Sequence, residues 1–133
     1  MKELVIDAKV ENLDAVRNFI TRELESANFP VKQRTQIEIA VEEIFVNIAH
    51  YAYNPGAGST VVRVAVGDEA IIEFADGGIP YNPLQKSDPD LTVAAEERAI
   101  GGLGIYMVKN MMDAVEYRRE NDKNILVIRK SVN

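Results

Sequence analysis

The chain has 133 residues, of which 47% are hydrophobic and 27% are charged, and this length and composition fit a single globular domain spanning residues 1–133. Its 15 Lys and Arg residues against 21 Asp and Glu residues give a formal net charge of −6. That charge argues against a nucleic-acid-binding protein, because phosphates are neutralised by a basic surface. The absence of Cys excludes disulfides, thiolate catalysis and Cys-ligated zinc, and a single His excludes a metal centre with several His ligands.

The N-terminal segment carries charges where a signal peptide would be apolar. Lys2, Glu3 and Asp7 interrupt it. No stretch of the sequence approaches the roughly 18 consecutive apolar residues of a membrane-spanning helix. We therefore expect a soluble, cytoplasmic protein without a membrane partner.

The first part of the chain predicts a short strand followed by two amphipathic helices. The strand covers Leu4–Ala8. Asn12 can cap the first helix, which should end near Asn28. Its apolar residues at helical spacing are Leu13, Val16, Phe19, Ile20 and Leu24. The second helix should run from about Pro30 to Tyr51. Its apolar stripe consists of Ile37, Ala40, Val41, Ile44, Phe45 and Ile48.

Two β-hairpins follow, with a long loop rich in glycine and proline between them. Their strands are predicted at Thr60–Val66, Ala70–Ala75, Val115–Glu120 and Asn124–Lys130. The tight turns within the hairpins fall at Gly67-Asp68 and Asn121-Asp122. The loop runs from Asp76 to about Leu103, with a short helix candidate at Leu91–Ala99, and leads into a helix at Leu103–Met112.

The resulting order, β-α-α-β-β-loop-α-β-β, predicts an α+β fold. Two hairpins and several amphipathic helices favour a two-layer α/β sandwich, in which helices cover a single mixed, mostly antiparallel sheet. A loop as long as the one between the hairpins is usually functional or disordered. Its two ends are therefore candidate functional segments.

An acidic residue and an amide lie one turn apart on the second helix. Glu43 and Asn47 fall on the same side, just outside the apolar stripe, whereas Glu42 is rotated by about 100° towards water. At the edge of a cleft, a carboxylate can act as a general base and an amide oxygen can bind Mg²⁺. The alternative is an exposed helix edge with a Glu43–Asn47 hydrogen bond, because this pair alone has no motif specificity.

Glycines mark both ends of the long loop. At its start, Asp76-Gly77-Gly78-Ile79-Pro80 offers a carboxylate for an amino group and a backbone that a flat ligand can approach, although a Gly-Pro turn has the same pattern. At its end, Gly101-Gly102-Leu103-Gly104 precedes a helix, Ile105–Met112, and can offer backbone N–H groups to phosphate. This second cluster lacks the ending of a P-loop and the βαβ unit of a dinucleotide-binding fold.

In this order, the three segments resemble motifs of the histidine-kinase-like ATPases, the superfamily of gyrase, Hsp90, MutL and sensor kinases. Glu43-x-x-x-Asn47 is similar to the N-box of that superfamily, Asp76-Gly77-Gly78-x-Pro80 to its first glycine box and Gly102-x-Gly104 to its second. The resemblance spans nearly the whole chain. It implies a Bergerat-type ATP-binding fold in which the long loop is a lid over ATP.

Within that superfamily, the chain resembles the small anti-sigma factor serine kinases of bacteria. It is too short for the dimerisation helices of sensor kinases or the further domains of the larger members, and residues 43–53 and 101–113 look most like the small branch. The resemblance implies a serine/threonine protein kinase that uses ATP and Mg²⁺. Its expected partners are an anti-anti-sigma-type antagonist protein, phosphorylated on serine, and a sigma factor; a homodimer is also implied.

The resemblance also implies roles for residues of the first two motifs. Glu43 would activate a water or a serine hydroxyl, and Asn47 would coordinate Mg²⁺. Asp76 would bind the adenine amino group, with Gly78 beside it. These roles separate an adenine end of the site from a phosphate end.

The phosphate end is expected to involve the second glycine box and the lid. Gly102 and Gly104 would give backbone N–H groups to phosphate. The best-studied members of this branch carry an Arg two residues before the first glycine of this box, where the present chain has Ile100. Arg98 would then reach the γ-phosphate, and Lys86 is a second cationic residue of the lid.

Two other functions stay open on the sequence alone. One is an interaction module in which ATP controls the choice of partner and no phosphate is transferred. The other is a metabolic α+β enzyme whose boxes arise by coincidence. His50, Tyr51 and Tyr53 are expected to be structural in any of these.

Overall fold

The structure, a computed structural model, describes residues 1–53, 56–85 and 102–133. Within these residues the elements are, in chain order, β1 (Lys2–Asp7), a 3₁₀ turn (Val10–Asn12), α1 (Leu13–Ser26), α2 (Val31–Tyr51), β2 (Ser59–Val66), β3 (Glu69–Asp76), a 3₁₀ turn (Pro83–Gln85), α3 (Gly102–Met111), β4 (Ala114–Glu120) and β5 (Lys123–Ser131). This order of helices and strands confirms the prediction. The helix candidate Leu91–Ala99 and the lid residues Lys86, Arg98 and Ile100 lie outside the described residues.

The strands form one sheet in the order β1-β2-β3-β5-β4. Every pair of neighbours in this described sheet is antiparallel, whereas the sequence predicted a partly mixed sheet. The reason is that β5 inserts between β3 and β4, which run in the same direction and would otherwise be parallel neighbours. This insertion places Asn124 of β5 directly opposite Asp76 of β3.

Helices α1 and α2 cover one face of the sheet. Five residues of the predicted α2 stripe are buried, and the sixth, Ile48, packs partly buried against the same core. The core also contains Leu24 of α1 and Phe74 of β3. Since burying such a side chain is worth about 1.5–3 kcal/mol, the stripe fixes the rotation of α2 about its axis. The polar residues beside the stripe are fixed with it.

The N-terminal ends of two helices differ from the predicted ones. The Asn12 side chain does not cap α1; a 3₁₀ turn precedes the helix, and Asn12 Nδ2 donates to the Asp7 carbonyl at 2.9 Å. Helix α3 begins at Gly102, so the second glycine box forms its first turn and does not precede it. None of the described helices is long and apolar enough to cross a membrane.

Candidate functional site

A cavity of about 490 Å³ lies between the helices and the sheet. Helices α2 and α3, strands β3, β4 and β5 and the segment after β3 line it, mostly with apolar side chains such as Ile44, Ile105 and Leu126. Two of the predicted site residues, Asn47 and Asp76, also lie in its wall. This size and this mixture of apolar walls with a few polar groups are typical of a small-molecule site.

Asp76 supplies the carboxylate of the cavity. As the last residue of β3 it lies on the same face as Phe74, because side chains alternate along a strand, and it is only 6% exposed. Its Oδ1 accepts hydrogen bonds from Gly78 N at 2.9 Å and from Asn124 Nδ2 at 3.0 Å. Its Oδ2 has no hydrogen-bond partner in the described part of the chain. One oxygen thus fixes the carboxylate, and the other is an open acceptor.

The first glycine box packs tightly against the C-terminal end of α2. Ile79 N donates to the Ala52 carbonyl at 3.0 Å. A Cβ at Gly78 would lie 2.6 Å from the Ala52 carbonyl carbon, so no side chain fits there. Arg119 Nη1 donates to the Gly78 carbonyl at 3.0 Å and holds the loop from the β4 side. The sequence analysis expected a ligand to approach the backbone closely at these glycines. In the structure, the Ala52 carbonyl occupies the space beside Gly78.

A tyrosine that the sequence assigned to packing also holds this loop. Tyr53 donates its hydroxyl proton to the Ser59 carbonyl at 2.6 Å and accepts from Gly77 N at 2.7 Å. Burial raises the pKa of the Tyr53 hydroxyl; the hydrogen bond from Gly77 opposes the rise, and the nearby Asp76 charge adds to it. The hydroxyl therefore keeps its proton, and with it the hydrogen bond to Ser59.

The N-box residues face two different neighbours. Asn47 lines the cavity, and its side-chain amide has no hydrogen-bond partner among the described residues. The Glu43 carboxylate lies against Gly104 of α3: a Cβ there would be 3.3 Å from its carboxylate carbon and closer still to Oε2. The Glu43–Asn47 hydrogen bond of the alternative interpretation is not formed in the described chain. Glu42, expected to face water, is half-buried like Glu43.

These residues fit a magnesium ion better than a metal centre built from protein ligands alone. No group of three or more His, Asp or Glu side chains within the described residues is placed to hold a metal ion. The Asn47 amide supplies one oxygen atom in the cavity wall. Mg²⁺ keeps several waters and takes further ligands from phosphate oxygens, so few protein ligands suffice for it.

Other residues of the site were missed by the sequence analysis. Asn124 and Tyr117 line the cavity and are joined by a 2.6 Å hydrogen bond from the Tyr117 hydroxyl to Asn124 Oδ1. Both belong to a correctly predicted hairpin, but no sequence signal places that hairpin beside β3. Tyr51 also lines the cavity and meets the exposed His50 edge-on, with ring centres 6.0 Å apart.

Comparison with known proteins finds matches along nearly the whole chain. A family model described as the histidine kinase-like ATPase domain matches residues 6–130. The serine-protein kinase RsbW of Bacillus mycoides (strain KBAB4) is 26% identical over 130 residues, which cover 94% of this chain and 81% of that protein. The serine/threonine-protein kinase BtrW of Bordetella bronchiseptica is 27% identical over 97 residues, covering 71% of this chain and 68% of that protein.

A solved structure shows the same fold. The Acinetobacter baumannii histidine kinase AdeS superposes with a TM-score of 0.51 at 16% sequence identity. The superposition covers 100% of this chain and 68% of that chain. At this identity the likeness concerns the fold alone.

Proposed function

The chain belongs to the histidine-kinase-like ATPase family, as the three motifs predicted, and we propose that it binds ATP with Mg²⁺ in the cavity and transfers the γ-phosphate to a serine of a partner protein. One observation carries the nucleotide site. A buried carboxylate, Asp76, has one oxygen saturated by hydrogen bonds and the other open, in a cavity with apolar walls. An apolar cavity with a single oriented acceptor fits a flat ring that bears an amino group.

The adenine end of the site would consist of Asp76 and the first glycine box. Asp76 Oδ2 would accept a hydrogen bond from the adenine amino group. Gly78 would lie beside the ring, on a loop that is already fixed to α2 and to β4. A loop that is ordered before the ligand binds costs little entropy when it does.

The phosphate end would lie at α3. Backbone N–H groups of Gly102 and Gly104, in the first turn of this helix, would donate to phosphate oxygens, which the positive end of the helix dipole also attracts. Arg98, outside the described residues, would contact the γ-phosphate. Asn47 would hold Mg²⁺, whose charge would stabilise the negative charge on the phosphates. Glu43 would also take the proton of the attacking hydroxyl.

The kinase names of two relatives support a protein substrate for the proposed transfer. RsbW and BtrW, matched over 94% and 71% of this chain, are serine or serine/threonine protein kinases by name. We propose an anti-sigma-factor-type regulator whose phosphoacceptor is a serine of a small antagonist protein. Its second partner would be a sigma factor.

Two adjacent glutamates provide a matched test of the proposed catalysis. Purified protein would be incubated with γ-labelled ATP and soluble extract of the native cell, and labelled serines would be mapped. We expect Glu43→Gln to keep ATP binding and to lose transfer by about 10²- to 10⁴-fold, the usual worth of a general base. Glu42→Gln should transfer phosphate like the wild type, since Glu42 is rotated by about 100° from Glu43 about the helix axis and only Glu43 lies against Gly104 of the second glycine box.

Two results would change this assignment. If Glu42→Gln is the inactive variant, the catalytic role of Glu43 is wrong. If the wild type labels no protein, yet ATP alters which proteins it captures, the chain is an interaction module controlled by ATP and not a kinase.

A further inference from the structure

The Asn124 side chain uses every hydrogen-bonding position that an amide has. Its Nδ2 donates to Asp76 Oδ1 at 3.0 Å and to the Ile79 carbonyl at 2.8 Å. Its Oδ1 accepts from the Tyr117 hydroxyl at 2.6 Å and from Tyr81 N at 3.2 Å. A primary amide has two N–H donors and two acceptor lone pairs, so Asn124 has no capacity left for a ligand.

Two backbone groups fix which way this amide points. The Ile79 carbonyl can only accept a hydrogen bond, and the Tyr81 N–H can only donate one. Rotating the amide by 180° would therefore face like groups at both positions. Asn124 is also 93% buried, with 7% of its surface exposed, so water cannot replace the lost partners. Its NH₂ group must face Asp76.

This orientation determines what the cavity offers to a ligand. Asp76 Oδ1 accepts from both Gly78 N and Asn124 Nδ2, which fills its two lone pairs. The open group is Oδ2, an acceptor, and the Asn124 donors are used elsewhere. A ring amino group would pair with Oδ2, whereas a ring carbonyl would leave two buried acceptors facing each other. Sites of this kind discriminate strongly, because the wrong ligand leaves buried polar groups unpaired.

We propose that Asn124 is a positioning residue, held in place by Tyr117, which makes Asp76 select a 6-amino purine over a purine without that group. The proposal rests on the proposed nucleotide-binding function. It places base selectivity partly on β4 and β5, strands that carry none of the three sequence motifs.

The test measures how much the 6-amino group contributes to affinity. Calorimetry would give dissociation constants for ATP and for purine riboside triphosphate, which lacks only that amino group. We expect the wild type to prefer ATP by about tenfold or more, the effect of one hydrogen bond to a charged group. Asn124→Leu should bind purine riboside triphosphate like the wild type and prefer ATP by no more than about twofold.

Two further variants control this measurement. Tyr117→Phe removes only the hydroxyl that holds Asn124 in place through a 2.6 Å hydrogen bond, and should lower the preference for ATP to an intermediate value. Asn110→Leu makes the same chemical change as Asn124→Leu at an exposed position of α3, where, within the described residues, the amide donates only to the Tyr106 carbonyl at 2.8 Å. It should keep the wild-type preference.

A third variant should reverse the selectivity. In Asp76→Asn, the donors Gly78 N and Asn124 Nδ2 require the new amide oxygen at the Oδ1 position, so its NH₂ group takes the Oδ2 position. The open acceptor becomes a donor, and the variant should prefer inosine triphosphate, a 6-oxo purine, over ATP.

Each outcome decides between the proposals. Equal losses of affinity for both nucleotides in Asn124→Leu would show a merely structural role and overturn the inference. An unchanged preference for ATP in Tyr117→Phe would also overturn the inference. That variant provides a test even if Asn124→Leu does not fold. A wild type that binds both nucleotides equally overturns selection by Asp76 but leaves nucleotide binding intact. A wild type that binds neither overturns the proposed function itself.

Discussion

A single hydroxyl group, that of Tyr53, joins three parts of the chain at the candidate site. It donates to the carbonyl of Ser59, where β2 begins, and accepts from Gly77 in the first glycine box, while the residue itself follows the end of α2. Neither the hydroxyl's partners nor the raised pKa of this group follows from the sequence, because the pattern around Tyr53 is that of an ordinary packed aromatic residue. The structure therefore predicts that removing this hydroxyl lowers the free energy of unfolding, which a role in packing alone would not predict.

Replacing Tyr53 with Phe keeps the ring and removes both hydrogen bonds. We expect the free energy of unfolding to fall by about 1–2 kcal/mol, which urea denaturation measures. Tyr51→Phe is the control, since the Tyr51 hydroxyl has no hydrogen-bond partner in the described chain and the residue is 43% exposed. That change should stay within about 0.5 kcal/mol. Equal effects of the two changes would contradict the role of Tyr53.

The same hydroxyl predicts a dependence of stability on pH. Burial raises the Tyr53 pKa in the folded protein above its ordinary value of 10.0. A raised pKa means that the folded state holds this proton more tightly than the unfolded state does. The stability that the protonated hydroxyl contributes is therefore fully present below pH 10 and is lost as pH rises through the folded pKa. Above about pH 10 the urea midpoint of the wild type should therefore fall more steeply with pH than that of Tyr53→Phe. Parallel curves would refute this account.

At the scale of elements, the contact between the end of α2 and the first glycine box depends on the absence of a side chain. In Gly78→Ala, the new Cβ would meet the backbone of Ala52 at 2.6 Å, and we expect a loss of about 1–3 kcal/mol in unfolding free energy together with weaker ATP binding. Gly67→Ala is the matched control in the β2–β3 turn, where a Cβ meets nothing within 4 Å. Denaturation should find that variant at least as stable as the wild type, to within about 0.5 kcal/mol.

Helix α3 contains a glycine that helix stability alone would not favour. Alanine is preferred over glycine in a helix by about 1 kcal/mol, but a Cβ at Gly104 would occupy the space of the Glu43 carboxylate. Gly104→Ala should therefore leave thermal stability unchanged or higher while phosphoryl transfer falls, because Glu43 must move. A variant that is both stable and fully active in the transfer assay would show that the Glu43 position is unimportant.

Local sequence patterns predicted the helices and strands, whereas the position of the candidate site depends on pairing between strands that are distant in sequence. The α2 stripe and both hairpins could be read from residue spacing and turn residues, since those signals act over a few positions. The partner of Asp76, Asn124, is 48 residues away, and only the insertion of β5 between β3 and β4 brings the two together. No periodicity in one sequence encodes that insertion. The motifs singled out two residues that line the cavity, Asp76 and Asn47, but not Asn124, which binds Asp76.

At the scale of the whole molecule, the two faces of the sheet serve different purposes. One face carries α1 and α2 and contains the cavity. The other carries a row of ion pairs across the strands, in which Arg63 contacts Glu3 at 2.8 Å and Glu73 at 3.4 Å, and Arg118 contacts Glu73 at 3.6 Å. Glu73 is the most buried member, with its side chain 15% exposed, and surface pairs of this kind contribute about 0–1 kcal/mol each. The candidate site thus lies between the layers, where α2, α3 and the sheet each supply a part.

The most direct test of the central claim is the melting temperature of the purified protein with ATP or ADP, with and without Mg²⁺. Binding to the folded state stabilises it by about 2.7 kcal/mol at a hundredfold excess over the dissociation constant, so both nucleotides should raise the wild-type melting temperature. Asp76→Asn, which keeps the Oδ1 hydrogen bonds but loses the open acceptor, should melt like the wild type without ligand and respond much less to ATP. Melting curves of the wild type that do not move with saturating nucleotide, in either the presence or the absence of Mg²⁺, would contradict the account.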